Sequence, residues 1–221
     1  MINLDHYQTI IFDCDGVILN SNFQKIEAYR NAALEFGASK EQAESLVQHH
    51  VALTGISRYV KFEYFLIHIL KQKVTEKNMN KLIQSLNKNV VKLLKSCEVA
   101  KGLDKLREYT LDKKWIVASG GDQQEVRFLF ADKKIDHLFG DGIYGSPRSK
   151  HDIFEQELKD ISWYPALFLG DSLYDIQTAK KYDIDFLFVS DWTDLKDWKK
   201  ICAEYDVSAI KNIQALMNIK V

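Results

Sequence analysis

Cysteine is scarce in this chain, net charge is almost absent, and no long apolar run occurs. Only three cysteines, Cys14, Cys97 and Cys202, are spread over 221 residues. They are too few and too scattered for a disulfide framework or a zinc knuckle, so a reducing, cytoplasmic setting is expected. The formal net charge of -1 gives no global basic field to attract nucleic acid or an anionic membrane. Any phosphate chemistry must therefore come from a local site. No segment approaches the ~18 consecutive apolar residues of a membrane span. The opening Met1 to Thr9 has no basic stretch followed by an apolar one, so a secretory signal is not expected. Low-complexity tracts and internal repeats are also missing. What remains is ordinary globular composition, 46% hydrophobic and 28% charged, which argues against disorder. The length suits one large domain or a domain with a sizeable insertion.

Two regimes divide the chain. From Ser21 to about Ser96 there is no proline and no convincing strand. Phe23, Ile26, Ala33 and Leu34 recur at helical spacing between a Ser21 cap and a Gly37 stop. Tyr59 to Leu70 reads as a further buried helix, and Met79, Leu82, Ile83, Leu86, Val90, Leu93 and Leu94 as a longer stripe of the same period. From Gly102 onward, short apolar runs alternate with amphipathic stretches. Trp115–Ala118, Ala166–Leu169 and Phe186–Val189 read as buried strands, with helices near Gln123–Lys133, His151–Lys159 and Leu173–Tyr182. Continuous apolar strands alternating with helices indicate a parallel sheet covered on both faces. Thr9 to Phe12 has the same character and belongs with that sheet, which makes the helical block an insertion after the first strand.

The run Ile10-Ile11-Phe12-Asp13-Cys14-Asp15-Gly16-Val17 ends an apolar strand in two carboxylates two residues apart. Positions i and i+2 of a regular strand share a face. At ~4 Å and an effective dielectric of ~20, two such charges repel by about 4 kcal/mol. A proton or a small, hard, oxygen-seeking cation such as Mg²⁺ would relieve them; a strand-end turn using Asp and Gly is the plainer alternative. Ligands of open parallel sheets bind beyond the carboxyl ends of the strands. Asp13, Ser119 and Asp171 each fall at such an end.

Phe12-Asp13-Cys14-Asp15-Gly16-Val17, Ser119, Lys150 and Gly170-Asp171-Ser172-Leu173-Tyr174-Asp175 resemble, in order, the four motifs of the haloacid dehalogenase-like hydrolases. The likeness is to the phosphatase branch that carries a helical cap of the first type, with phosphoglycolate phosphatases and β-phosphoglucomutases among its members. It implies an α/β fold: a Rossmann-like, doubly wound parallel core, residues 1–19 and 97–221, with an α-helical cap inserted at 20–96. By the same resemblance Asp13 is a nucleophile that forms an aspartyl-phosphate, and Asp15 the general acid and then base, its pKa raised towards the working pH. Dehalogenases of the family lack that second aspartate. Ser119 and the backbone around Gly120 and Gly121 would hold the phosphoryl group, and Lys150 would neutralise it, with Arg148 a nearby competitor. Asp13 and Asp171 would supply carboxylates to Mg²⁺, Asp15 a backbone carbonyl, and Asp175 a contact through water or an orienting bond to Lys150.

In the cap, Thr54-Gly55-Ile56-Ser57-Arg58-Tyr59-Val60-Lys61 resembles a specificity loop, in which Arg58 and Lys61 would meet a second anionic group of the substrate; both also fit solvated charges at a helix start. His49 and His50 read as surface or packing residues. Asn20, standing where many members have an acid, would alter polarity at the cap's mouth. The implied activity is a Mg²⁺-dependent phosphatase acting on a small phosphorylated metabolite, a sugar phosphate among the candidates. A phosphomutase of the β-phosphoglucomutase type, a phosphonatase with an imine-forming cap lysine, and a catalytically silent binding protein are the alternatives. The expected partner is the small-molecule substrate, with no nucleic acid and no membrane, and the expected state a monomer or homodimer.

Overall fold

The computed structural model describes residues 2–217; Met1 and residues 218–221, at the ends of the expected core segments, lie outside the described residues. Six strands form one sheet: β1 (Thr9–Phe12), β2 (Lys114–Asp122), β3 (Gly142–Ser146), β4 (Ala166–Gly170), β5 (Asp185–Val189) and β6 (Ser208–Ile210). All pairs are parallel, in the order β3-β2-β1-β4-β5-β6. The chain reverses its direction of travel across the sheet at β1, which creates the crevice where ligands of such folds bind. Phe12 stands opposite Val117 on one side and Leu169 on the other. Asp13, Ser119 and Asp171 therefore leave the sheet at the same edge.

Alternation sorts the strand residues onto two faces. Ile10 and Phe12 join Trp115, Val117, Leu167 and Leu169 in one apolar cluster, which continues into the helices that follow β1. Ile11, Ile116, Ala118 and Phe168 join a second cluster. The helices α5 (Leu103–Tyr109), α6 (Gln123–Asp132) and α10 (Ile213–Leu216) bury residues in the first cluster; α7 (Lys150–Glu157) and α8 (Leu173–Lys181) bury residues in the second, and α9 (Trp198–Glu204) packs on Phe188 through a stacked Trp198.

Between β1 and β2 the chain makes α1 (Asn22–Phe36), α2 (Lys40–Ala52), α3 (Arg58–Tyr64) and α4 (Glu76–Leu94). Gly37 ends α1 in the left-handed region, φ 112°, where a side chain would be strained. Ser39 and Gln42 close a capping box on α2, and the Thr75 hydroxyl accepts the Asn78 amide at the start of α4. Leu82, Ile83, Leu86, Val90 and Leu94 of α4 are buried, as the stripe requires. The stripe expected on α1 is rotated. Phe23 is 69% exposed and Leu34 40%, while Asn22, Lys25, Ala28, Tyr29, Ala32 and Ala33 form the buried face. Small side chains let α1 pack closely on α2 and α4, and its polar first turn faces the sheet edge instead. The chain leaves and rejoins the sheet through a pair of antiparallel linkers: the Asn20 amide donates to the Glu98 carbonyl at 2.9 Å and the Ala100 amide to the Ile18 carbonyl at 2.8 Å.

Candidate active site

Asp13 is the first residue beyond β1, held by its amide on the Leu169 carbonyl at 2.8 Å. Its carboxylate is buried, and Oδ1 accepts a bond from Lys150 Nζ at 2.7 Å. Lys150 opens α7, where Ser149 and Asp152 form a capping box that fixes the direction of this first turn. The same ammonium reaches Asp175. Asp175 Oδ2 in turn accepts the Ser172 amide at 3.2 Å and the Ser172 hydroxyl at 2.6 Å. Asp175 thus has both oxygens engaged, one on Lys150 and one on Ser172. Arg148 points elsewhere, to Glu157, Gln156 and Gln123. Burial pushes the Asp13 carboxyl up to about 7 against the pull of Lys150, and the two carboxylates hold Lys150 above the ordinary lysine range despite its burial.

Asp15 has different partners. Ser21 Oγ donates to Oδ1 at 2.5 Å and Lys25 Nζ to Oδ2 at 2.5 Å. Ser21 stands at the N-cap position of α1, yet its hydroxyl makes no capping bond because it is spent on Asp15. Burial alone would raise the Asp15 pKa, but Lys25 and Ser21 together bring it below the usual value. The rise expected for a general acid is reversed: Asp15 is a carboxylate here, and the proton beside it sits on Lys25.

Asp171 lies two residues beyond Leu169. Its Oδ2 accepts from Asn22 Nδ2 at 3.0 Å, and its buried Oδ1 has no partner. Burial, then Asp13 and Asp175, drives this carboxyl well above its ordinary value. Oxygens of Asp13, Asp171 and Asp175 lie within 4.8 Å of one another. An orphaned buried carboxylate oxygen within an all-oxygen donor set fits a hard divalent cation such as Mg²⁺. Gly16, at φ 79°, keeps the approach open: a Cβ there would meet Asp171 Oδ2 at 2.0 Å.

The phosphate loop expected after β2 is a local break in pairing. The β2–β3 register slips between Ala118 and Asp122, so Ser119-Gly120-Gly121 bulges at the sheet edge. Ser119 Oγ is buried and accepts the Gly121 amide at 3.0 Å. Asp122 Oδ1 then caps α6 through the amides of Gln124 and Glu125. Gly120 meets the turn between α2 and α3 directly, since a Cβ on it would lie 2.4 Å from the Gly55 carbonyl oxygen.

A small, partly open cavity of about 30 Å³ lies between these parts, lined by Asp13, Asp15, Lys25, Arg58, Lys61 and Gly120 among others. Arg58 lines it, but its guanidinium is committed to the core. Both terminal nitrogens pair with the Glu125 carboxylate at 3.0 Å, and Asn87 accepts from one of them. Lys61 is buried beside His50, which packs on Tyr29 as a packing residue would and also lines the cavity. Asn20 lies outside the cavity lining, with its amide on exposed Glu98 at 3.3 Å. Asn22, Lys25 and Glu125 escaped the sequence reading. Asn22, Lys25 and Tyr29 do share one helical face, and that polar first turn in line with small apolar residues was the available signal.

A buried carboxylate cluster at the switch point of a doubly wound sheet defines an α/β enzyme whose reacting groups stand at the carboxyl ends of its strands. Residues 10–189 match the family model of the haloacid dehalogenase-like hydrolases, and the chain belongs to that family. No curated protein matches the chain significantly. Among solved structures it is similar to a haloacid dehalogenase-like hydrolase from Streptococcus pneumoniae, at 19% identity over 98% of this chain and 100% of that one, TM-score 0.70. A predicted phosphoglycolate phosphatase from Haemophilus somnus aligns at 16% identity over 98% and 99%, TM-score 0.73. A protein described as a β-phosphoglucomutase from Bacteroides vulgatus aligns at 15% over 93% and 84%, TM-score 0.71. These likenesses establish the shared fold.

Proposed function

We propose that the protein is a Mg²⁺-dependent phosphatase that hydrolyses a small phosphorylated metabolite through an aspartyl-phosphate on Asp13. The observation that carries this reading is the division of labour between two neighbouring carboxylates. Asp13 is anchored on Lys150 and aimed from the strand end, while Asp15 is a carboxylate paired with the protonated Lys25. Asp13 would attack phosphorus and break the ester P–O bond. The departing alkoxide takes its proton from the Asp15–Lys25 pair. Asp15 then removes a proton from water, whose oxygen attacks the phosphorus of the aspartyl-phosphate and frees Asp13 and inorganic phosphate. Lys150 and the amides around Gly120 and Gly121 supply positive charge and donors to the transferring group. Asp13, Asp171 and the Asp15 carbonyl would hold Mg²⁺, which when bound neutralises phosphoryl oxygens.

Helices α1–α4 serve in this reading as a cap set down on the sheet, and the cavity beneath them has room for little more than solvent. Substrate access then requires the cap to swing on the linkers at Asn20 and Glu98. Among the described residues no helix is long and apolar enough to cross a membrane, and three buried free thiols suit a reducing cytoplasm. We expect a monomer or homodimer whose partner is its substrate alone. The test is a panel of phosphorylated metabolites read as inorganic phosphate released, with and without Mg²⁺. Asp13→Asn should abolish release while the far-UV spectrum is preserved. Unchanged release by that variant refutes the proposal, and stoichiometric isomerisation without release assigns a phosphomutase instead.

A further inference from the structure

The segment between β5 and α9 joins parts of the molecule that lie far apart in the chain. Thr193 Oγ1 donates to the Asp171 carbonyl at 2.6 Å and accepts the Leu195 amide at 3.0 Å. Its two neighbours bond to the inserted helices instead. The Trp192 carbonyl accepts from Asn22 Nδ2 at 2.9 Å, and Asp194 Oδ1 accepts the Thr54 hydroxyl at 3.0 Å. Asn22 opens α1, and Thr54 lies in the turn between α2 and α3. The consecutive residues Trp192, Thr193 and Asp194 thus hold Asp171, α1 and that turn together.

Asn22 is the centre of this arrangement. A side-chain amide nitrogen has two hydrogens to donate. Here one goes to the Trp192 carbonyl and the other to Asp171 Oδ2, at 3.0 Å. Both Asn22 and Asp171 are buried, so this bond stands where water would otherwise solvate the carboxylate. A carboxylate is planar, and fixing one oxygen limits where the other can point. Asn22 thereby orients a group whose second oxygen is buried without a partner, beside the oxygens of Asp13 and Asp175. Hydrogen bonds that orient a metal-binding side chain are worth about 10–100-fold in metal affinity. This one is present only while α1 is seated on the sheet edge.

We propose that Asn22 is a positioning residue of the cation site, set by the Trp192-Thr193-Asp194 segment, so that cation binding and the seating of the inserted helices favour one another. This rests on the Mg²⁺-dependent phosphatase reading and adds a regulation of its metal site. Such coupling is reciprocal. The factor by which seated helices tighten Mg²⁺ equals the factor by which Mg²⁺ favours seating.

The probe is Mg²⁺ alone, without substrate. Asn22→Leu keeps the size of the side chain and loses the donor, and calorimetric titration should give it a Mg²⁺ Kd about tenfold or more above that of wild type. Saturating Mg²⁺ should slow proteolysis of the Thr54-Gly55-Ile56 turn by a similar factor in wild type and leave the rate in Asn22→Leu unchanged. Thr193→Val should weaken both effects, and Thr193→Ser, which keeps the hydroxyl, should retain them; this pair carries the test if Asn22→Leu does not fold. Glu125→Leu loosens the inserted helices at a contact away from Asp171, so its turn should be cut faster without metal and still be slowed by Mg²⁺. A packing role for Asn22 predicts faster cleavage with an unchanged Kd. That result, or Mg²⁺ protection that survives in Asn22→Leu, overturns the proposal and leaves the phosphatase reading standing. A wild type that binds no Mg²⁺ overturns the metal dependence on which both rest.

Discussion

Substituting Glu125 tests the contact that holds the inserted helices on the sheet. Arg58 opens α3 and Glu125 lies in the first turn of α6, and their two 3.0 Å bonds form a bidentate pair whose side chains are 3% and 4% exposed. Glu125→Leu leaves a buried guanidinium with only Asn87 as partner. Breaking one side of such a pair costs about 3–5 kcal/mol when the remaining charge stays buried. Lifting α3 to let water reach Arg58 is the other route, and it limits the loss to the free energy of opening. Arg58→Met strands the carboxylate in the same way. The double variant Arg58→Met/Glu125→Leu removes both charges, and replacing a buried pair by apolar groups is often neutral or stabilising. Urea denaturation of the four proteins should therefore give a coupling energy of about 2 kcal/mol or more. Limited proteolysis of Glu125→Leu should show new cleavage in the Thr54-Gly55-Ile56 loop. Single losses under about 1 kcal/mol that simply add would refute the reasoning, because the pair would then be worth no more than an exposed one.

Two further outcomes follow from the buried charges. The folded protein sheds the Lys61 proton near pH 7, whereas an unfolded lysine keeps its proton to about 10.4. The unfolded chain therefore binds more protons between those values, and stability rises with pH by up to about 1.4 kcal/mol per unit. The difference between wild type and Lys61→Met, followed by denaturation from pH 7 to 8.5, should show that slope; a flat difference rejects the buried, uncompensated amine. At higher pH the Cys14 thiol, pushed up by burial, works in the opposite direction. Mg²⁺ at a hundredfold excess over its Kd should add about 2.7 kcal/mol of stability to wild type. In Asp171→Asn that thermal shift should vanish while the metal-free protein melts no lower, since the repulsion among Asp13, Asp171 and Asp175 is relieved. A retained shift would place the cation elsewhere.

The strands that carry the core were legible because each is an unbroken apolar run: Thr9–Phe12, Trp115–Ala118, Ala166–Leu169 and Phe186–Val189 all fall inside observed strands. Gly142–Ser146 was not read as a strand, since it holds Ile143 as its single aliphatic residue and pairs with β2 across a bulge. Ser208–Ile210 is a three-residue edge strand with two exposed positions, too short for alternation to register. The motif aspartates, Ser119 and Lys150 were legible because their types and order are distinctive. Their partners were not. Asn22 reaches Asp171 across 149 residues and Arg58 reaches Glu125 across 67. Such pairings belong to topology, and neither local spacing nor residue type foretells them. The misplaced face of α1 has the same origin. Its apolar residues at Phe23 and Leu34 look outward because the first turn is reserved for the sheet edge.

That first turn ties motion to chemistry. Ser21 and Lys25 hold Asp15, and Asn22 holds Asp171 and the Trp192 carbonyl, all within one turn of the linker that leaves the sheet. A swing of α1 away from the strands withdraws all three side chains at once. Asp15 then loses its proton source and Asp171 the Asn22 donor in a single movement. If α1–α4 move as the cap proposed above, the molecule has an interlock: while the cap is raised the trigger is disconnected, and lowering it over a bound phosphate rearms it.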